Sequence, residues 1–133
     1  MASILKVDTI TGVATAGSIA ITGEGNSTTT NLQQGLAKSW VNFDGTGTIA
    51  ARDSFNHSSL TDRGTGFYAV TITSAMSSND FYGGAQQRAN GYAAGPNGSE
   101  EFTTTGITTL EYYSGTSLGD RQICGFMILG DLA

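Results

Sequence analysis

"AKSWVNFDGTGTIAARDSFN", residues 37–56, decides the fold class. Trp40 and Asn42 alternate with Val41 and Phe43, the period-two spacing that sends successive side chains to opposite faces of a strand. Asp44-Gly-Thr-Gly supplies a short loop containing glycine, and "GTIAARDSFN" (47–56) resumes as a second strand, so the stretch predicts a β-hairpin. Trp40 and Phe43 read as packing anchors, with Arg52 and Asp53 exposed or paired to neighbouring strands. "GTGTIA" and "GTGFYA" lead into strands rather than helices, so their glycines are turn formers and not phosphate cradles.

The pattern continues towards the C-terminus. "LTDRGTG" (60–66) reads as a second turn, and "FYAVTIT" (67–73) as the cleanest strand. Tyr68, Val70 and Ile72 share one of its faces, and Phe67, Ala69 and Thr71 the other. "NDFYGGAQQ" begins another strand, "RANGYAAGPNGSEE" (88–101) reads as a long loop, and "EFTTTGITTLEYYS" and "DRQICGFMILG" close the domain. About seven short strands punctuated by glycine turns predict a compact antiparallel β-sandwich-like domain over 37–133. The run Ile123–Leu129 is apolar on both faces. It is either the central strand of a two-layer core or a strand whose second face meets another subunit.

Residues 1–36 differ from the rest: they hold no aromatic residue, and their apolar residues are thinly spread. "SILKVDTI" and "SIAIT" read as short strands, and "TGEGNSTTT" (22–30) as a loop. So little apolar surface does not offset the entropy of ordering such a segment. The reading is an extended docking or trimerisation arm that is disordered alone or ordered against another chain, with Ile4, Leu5, Val7 and Ile10 as the docking residues. "TNLQQGLAK" (30–38) predicts a short helix, with Thr30 and Gln33 at capping-box spacing and Leu32 and Leu36 at i, i+4 on one face. Three copies meeting through Leu32 and Leu36 would form a plug; the alternative is a solvated connector.

Composition narrows the function. Charged residues make up 13% of the chain, roughly half the usual share. The 19 glycines suit turns, and the equally numerous threonines suit half-buried pleated surface. Net charge is −5 with six scattered basic residues, which argues against nucleic-acid binding. The apolar runs are too short to span a bilayer, so no membrane insertion is expected, and the basic-then-apolar layout of a signal peptide is missing. Cys124 is alone and in an apolar run, so it reads as an inert buried thiol. His57 is the sole histidine, with Ser58, Ser59 and Asp62 beside it in a polar segment rather than converging from separate ones. Asp80, Glu100 and Glu111 show no paired spacing of the kind glycoside hydrolysis needs. No catalytic residue, metal site or cofactor is expected.

The segment 83–100, "GGAQQRANGYAAGPNGSE", is long for a compact domain and carries Gln86, Arg88, Asn90, Tyr92 and Asn97. Tyrosine with adaptable amides suits a polar ligand such as a sugar; the alternative is a solvated loop.

"ASILKVDTI", followed by "TTTNLQQGLAKSWVNFDGTGTIAARDSFN" and "SLTDRGTGFYAVTIT", resembles bacteriophage tail-fibre-type virion proteins of phages of aquatic bacteria, including cyanophages. The match is densest over 2–10 and 28–73 and loose over 75–133. The resemblance implies a structural virion component, homotrimeric, that meets other virion proteins through its arm and a host-surface glycan or protein through a β-rich head. It implies no enzymatic activity. The chain is much shorter than a long fibre, so a capsid decoration or cement protein is the alternative.

Overall fold

The computed structural model describes residues 4–12, 19–22, 29–87, 93–96, 102–114 and 116–132. The chain divides into two units, Met1–Gly35 and Leu36–Ala133.

In the first unit, residues 4–12 form no strand, in contrast to the strand read into "SILKVDTI". A strand needs a ladder partner and a face to bury, and Ile4 and Leu5 are 78% and 82% exposed. The regular structure here is a small antiparallel hairpin of β1 (Ala20–Thr22) and β2 (Thr29–Asn31), registered through Ile21 and Thr30. The Leu32 N–H donates to the Ile19 carbonyl at 2.8 Å, and one helical turn, α1 (Leu32–Gly35), follows. That turn is far shorter than the helix expected over 30–38. Four residues cannot repay helix nucleation, and glycine at its end weakens it further. Leu36 lies beyond the turn, so Leu32 and Leu36 share no helical face. No described side chain of this unit is buried.

The second unit is all-β and antiparallel. It begins with β3 (Ala37–Asp44) and β4 (Ala50–Phe55), the hairpin that the opening stretch predicts. Asp44 organises the turn: its Oδ1 accepts from the Thr46 N–H at 3.0 Å and from the Thr46 hydroxyl at 2.6 Å, while its Oδ2 pairs with Arg52 at 2.6 Å. Then come β5 (His57–Gly64) and β6 (Phe67–Ile72). Segment 60–64, read as part of a turn, is therefore strand, and only Thr65-Gly66 turns the chain. Gly66 has φ +73°, and a Cβ there would lie 2.6 Å from the Tyr112 carbonyl oxygen, so the turn closes only around glycine.

The remaining strands are β7 (Tyr82–Gln87), β8 (Ala93–Pro96), β9 (Phe102–Thr103), β10 (Gly106–Ser114), β11 (Ser117–Leu118) and β12 (Cys124–Leu129). β8 falls inside the expected loop 88–101 and pairs with β10. One sheet has the order β4-β3-β12-β7; the other runs β11-β10-β6-β5, with β8 and β9 also on β10. β12 is central, and β4 and β5 are edges.

Both sheets contribute to one core. Val41, Phe43, Cys124, Phe126 and Ile128 come from the first, and Tyr68, Val70, Ile72, Ile107, Leu110 and Tyr112 from the second. This is the two-layer, sandwich-like packing the alternation implies. Ile107 and Leu110 differ in parity, so a regular strand would send them to opposite faces. The register shift between them in β10 lets both point inward. At the centre Phe43 meets Tyr68 edge-on at 5.2 Å and Tyr112 at 5.8 Å between ring centroids. Truncating Phe43 to alanine would cost about 3–5 kcal/mol.

The first passage from one sheet to the other takes a single residue. Asn56, φ +51°, separates β4 from β5. Its side-chain Nδ2 donates to the carbonyls of Lys38 (2.8 Å) and Ser74 (3.3 Å), and its Oδ1 accepts from the Ser74 N–H at 2.7 Å. Asparagine tolerates the left-handed region and bonds backbone locally, which fits it to this corner. Asn56→Ala should lose about 2–4 kcal/mol from strain and lost hydrogen bonds together, and Asn56→Gly less, because glycine relieves the strain. Chemical denaturation of the two variants checks the order.

Next to the corner, burial holds the His57 imidazole below its ordinary value of 6.5, partly offset by a hydrogen bond involving the Ser59 backbone. The unfolded chain therefore takes up this proton at a higher pH than the folded one. The resulting stability is complete above about pH 6.5 and falls as pH drops towards the folded value. Thermal melts should show a lower Tm at pH 5 than at pH 7, and His57→Gln should shrink that difference.

Candidate functional site

Period two in β3, β12 and β7 divides the four-stranded sheet into a core face and an outward face. Val41, Phe43, Cys124, Phe126 and Ile128 point inward. The outward face is built from cross-strand rows. One row joins Phe55, Trp40, Met127 and Gly84; the next joins Asp53, Asn42, Gly125 and Gln86. Tyr82 stands one outward position before Gly84 on β7. An apolar and aromatic row thus lies against a polar row of one carboxylate and two amides, each row containing a glycine.

The glycines give this face its depth. A Cβ on Gly125 would meet only ordinary contacts at 3.7–3.9 Å, and a Cβ on Gly84 would touch the Tyr82 ring at 3.4 Å. Without those side chains a groove of about 510 Å³ opens, walled by Trp40, Met127 and Tyr82 and edged by Asn42 and Gln86. Small-ligand sites span roughly 300–1,000 Å³. Tyr82 is 66% exposed and Met127 40%. No charged side chain among the described residues lines the groove. Among the described residues, the side-chain polar groups of Trp40, Asn42, Tyr82 and Gln86 form no hydrogen bond.

Of the residues expected at a host-contact loop, Gln86 lies on the outward face of β7, at the rim of this groove. Arg88, Asn90, Tyr92 and Asn97 lie outside the described residues. Ile4, Leu5, Val7 and Ile10, expected to dock the arm, are all exposed. Leu36 is 53% exposed at the start of the second unit.

Sequence reasoning missed Trp40, Asn42, Tyr82 and Met127 as site residues. Trp40 was expected as a packing anchor beside Phe43, but only Phe43 is in the core. The signal was present in "SWVNF", whose alternation already sets Trp40 with Asn42. It was present again in the run 123–129, whose second apolar face turns out to floor the groove.

Of the groups weighed for catalysis, His57 lies on β5, Glu111 on β10 and Asp80 between β6 and β7, and Glu100 lies outside the described residues. The His57 Nε2 is buried with no partner among the described residues. Glu111 is buried and accepts a hydrogen bond from the Tyr113 hydroxyl at 2.9 Å, whereas Asp80 is exposed. Among the described residues no three His, Cys, Asp or Glu side chains gather as metal ligands.

Fold and face together define an all-β antiparallel domain bearing an open, uncharged groove of aromatic and amide character. No protein-family model, curated protein or solved structure significantly matches the chain.

Beneath the groove, burial pushes the Cys124 thiol up to about 12. Its Sγ–H donates to the Arg121 carbonyl at 3.4 Å. A thiol that is neutral and enclosed is a poor nucleophile. Native protein at pH 8 should leave Ellman's reagent unreacted, and guanidinium should release one thiol per chain. Stoichiometric labelling of the native state would contradict this packing.

Proposed function

We propose that the chain is a structural component of a phage virion: a short, tail-fibre-like appendage protein, homotrimeric, that docks to the particle through residues 1–36 and presents the β domain to the host surface. The observation that carries this reading is the contrast between the two units. The second closes its own core around Phe43, Tyr68 and Tyr112. The first buries no described side chain and leaves Ile4, Leu5, Val7 and Ile10 exposed. Its two-stranded hairpin is too small to be stable alone. Apolar residues kept in solvent at four neighbouring positions suit a surface that another chain covers. The resemblance of 2–10 and 28–73 to tail-fibre-type proteins supplies the setting. On this reading the protein resides in the virion, its partners are copies of itself and other tail proteins, and it performs no catalysis.

A capsid decoration or cement protein is the second reading. It draws support from residues 4–12, which form no strand and so suit a segment laid along a neighbouring surface. Locating the protein in an image reconstruction of the virion separates tail from capsid.

Removing residues 2–21 should yield a soluble head with an unchanged melting transition that no longer enters virions. Normal incorporation would refute the docking role. Sedimentation equilibrium of the whole chain should give three times the 13.7 kDa chain mass, whereas a monomer would refute the trimer.

A further inference from the structure

We propose that the outward groove of the four-stranded sheet binds a neutral oligosaccharide, with Trp40 and Tyr82 stacking on sugar rings and Asn42 and Gln86 bonding their hydroxyls. The inference deepens the host-contact reading above and rests on it for its biological setting. The binding itself is a property of the groove.

Each feature of the lining selects the ligand. Aromatic rings outside a core offer flat apolar faces, and a pyranose presents a matching patch of C–H bonds on its less polar side. Trp40 on β3 and Tyr82 on β7 flank the central strand β12 in neighbouring outward rows, Trp40 in register with Met127 and Tyr82 with Leu129. A side-chain amide carries an acceptor oxygen and a donor NH₂ in one plane, as adjacent sugar hydroxyls require. Asn42 and Gln86 share a cross-strand row on either side of Gly125, and their amides are unengaged among the described residues. A ligand there gains hydrogen bonds without displacing any made by the protein.

The alternatives fit less well. Among the described residues the lining offers no cation to a phosphate, a uronate or an acidic peptide, and the chain's net charge of −5 opposes such anions further. An acyl chain would desolvate both amides without partnering them, at a cost. Charge complementarity thus leaves an uncharged, hydroxyl-rich ligand.

Trp40 is the sole tryptophan, so its fluorescence reports on the groove alone. The test titrates the whole chain with cellohexaose, maltohexaose, mannohexaose and chitohexaose, with hexagalacturonate as the acidic counterpart. The expected result is a saturable shift of Trp40 emission with at least one neutral hexasaccharide and none with hexagalacturonate. Asn42→Ala and Gln86→Ala should each weaken that binding about five- to tenfold, the loss of one net hydrogen bond. Gly125→Val should abolish it while leaving the melting transition in place, because a Cβ there meets only ordinary contacts. A response to none of the four neutral probes overturns the proposal, as does unchanged affinity in Gly125→Val. So does an oligomer that Gly125→Val dissociates, which would assign the groove to a second copy. Loss of sugar binding leaves arm docking standing, and failed virion incorporation leaves the measured affinity standing, so the two readings fail separately.

Discussion

Two buried tyrosine hydroxyls fix how the sheets face each other. Tyr112 belongs to β10, yet its hydroxyl donates to the Gly125 carbonyl of β12 in the opposite sheet at 2.8 Å. The Tyr68 hydroxyl, on β6, shares its proton between the Gly45 carbonyl at 2.9 Å and the Asp120 Oδ1 at 2.7 Å. A buried phenol without a partner costs about 1–3 kcal/mol, so sliding one sheet over the other would break both bonds before any apolar contact improved. Burial raises both hydroxyls far above their ordinary value, with Asp120 adding to the effect at Tyr68, so they remain proton donors throughout the useful pH range. Phe43 fits edge-on against both rings and fills the space between them.

This pinning reaches the groove. Gly125 accepts the Tyr112 bond with its carbonyl while exposing a bare backbone to the outer face. The strand that floors the groove is thus held from below, and the positions of Asn42 and Gln86 on either side follow from its ladder. Gly83, the inward neighbour of Gly84, plays the complementary part. A Cβ there would come within 2.6 Å of the Phe126 ring, so β7 approaches the core only because that side chain is missing. Three glycines on two adjacent strands therefore set both the depth of the core and the depth of the face behind it.

Much of the second unit was legible in its residues. The hairpin of β3 and β4 and the faces of β6 follow from period-two patterning, which burial against a partner sheet enforces, while the central place of β12 is one of two readings that its doubly apolar run leaves open. The edge strand β5 was not legible, because "HSSLTDRG" carries turn-forming residues and its strand state comes from the ladder with β6. β8 was hidden for the same reason: its glycine and proline argue for a loop, and pairing to β10 overrides them. The bulge in β10 cannot be placed from local sequence, since it answers a packing demand from the other sheet. The groove was half legible. Alternation grouped Trp40 with Asn42, but adjacency to Met127, Gly84 and Gln86 depends on a strand order that brings residues 40, 84 and 127 side by side.

One outermost strand of each layer carries the same safeguard. β4 holds Arg52 and Asp53, and β5 holds Asp62 and Arg63, side by side on ladders whose far edges face solvent. Stacking a second molecule against β4 or β5 would crowd these charges and strip their water, so these two hydrogen-bonding margins resist runaway polymerisation. On the virion reading proposed above, in which the domain is displayed in many copies at close quarters, that resistance is an advantage. Crowding on a shared support would then concentrate the outward faces without fusing the sheets into fibrils.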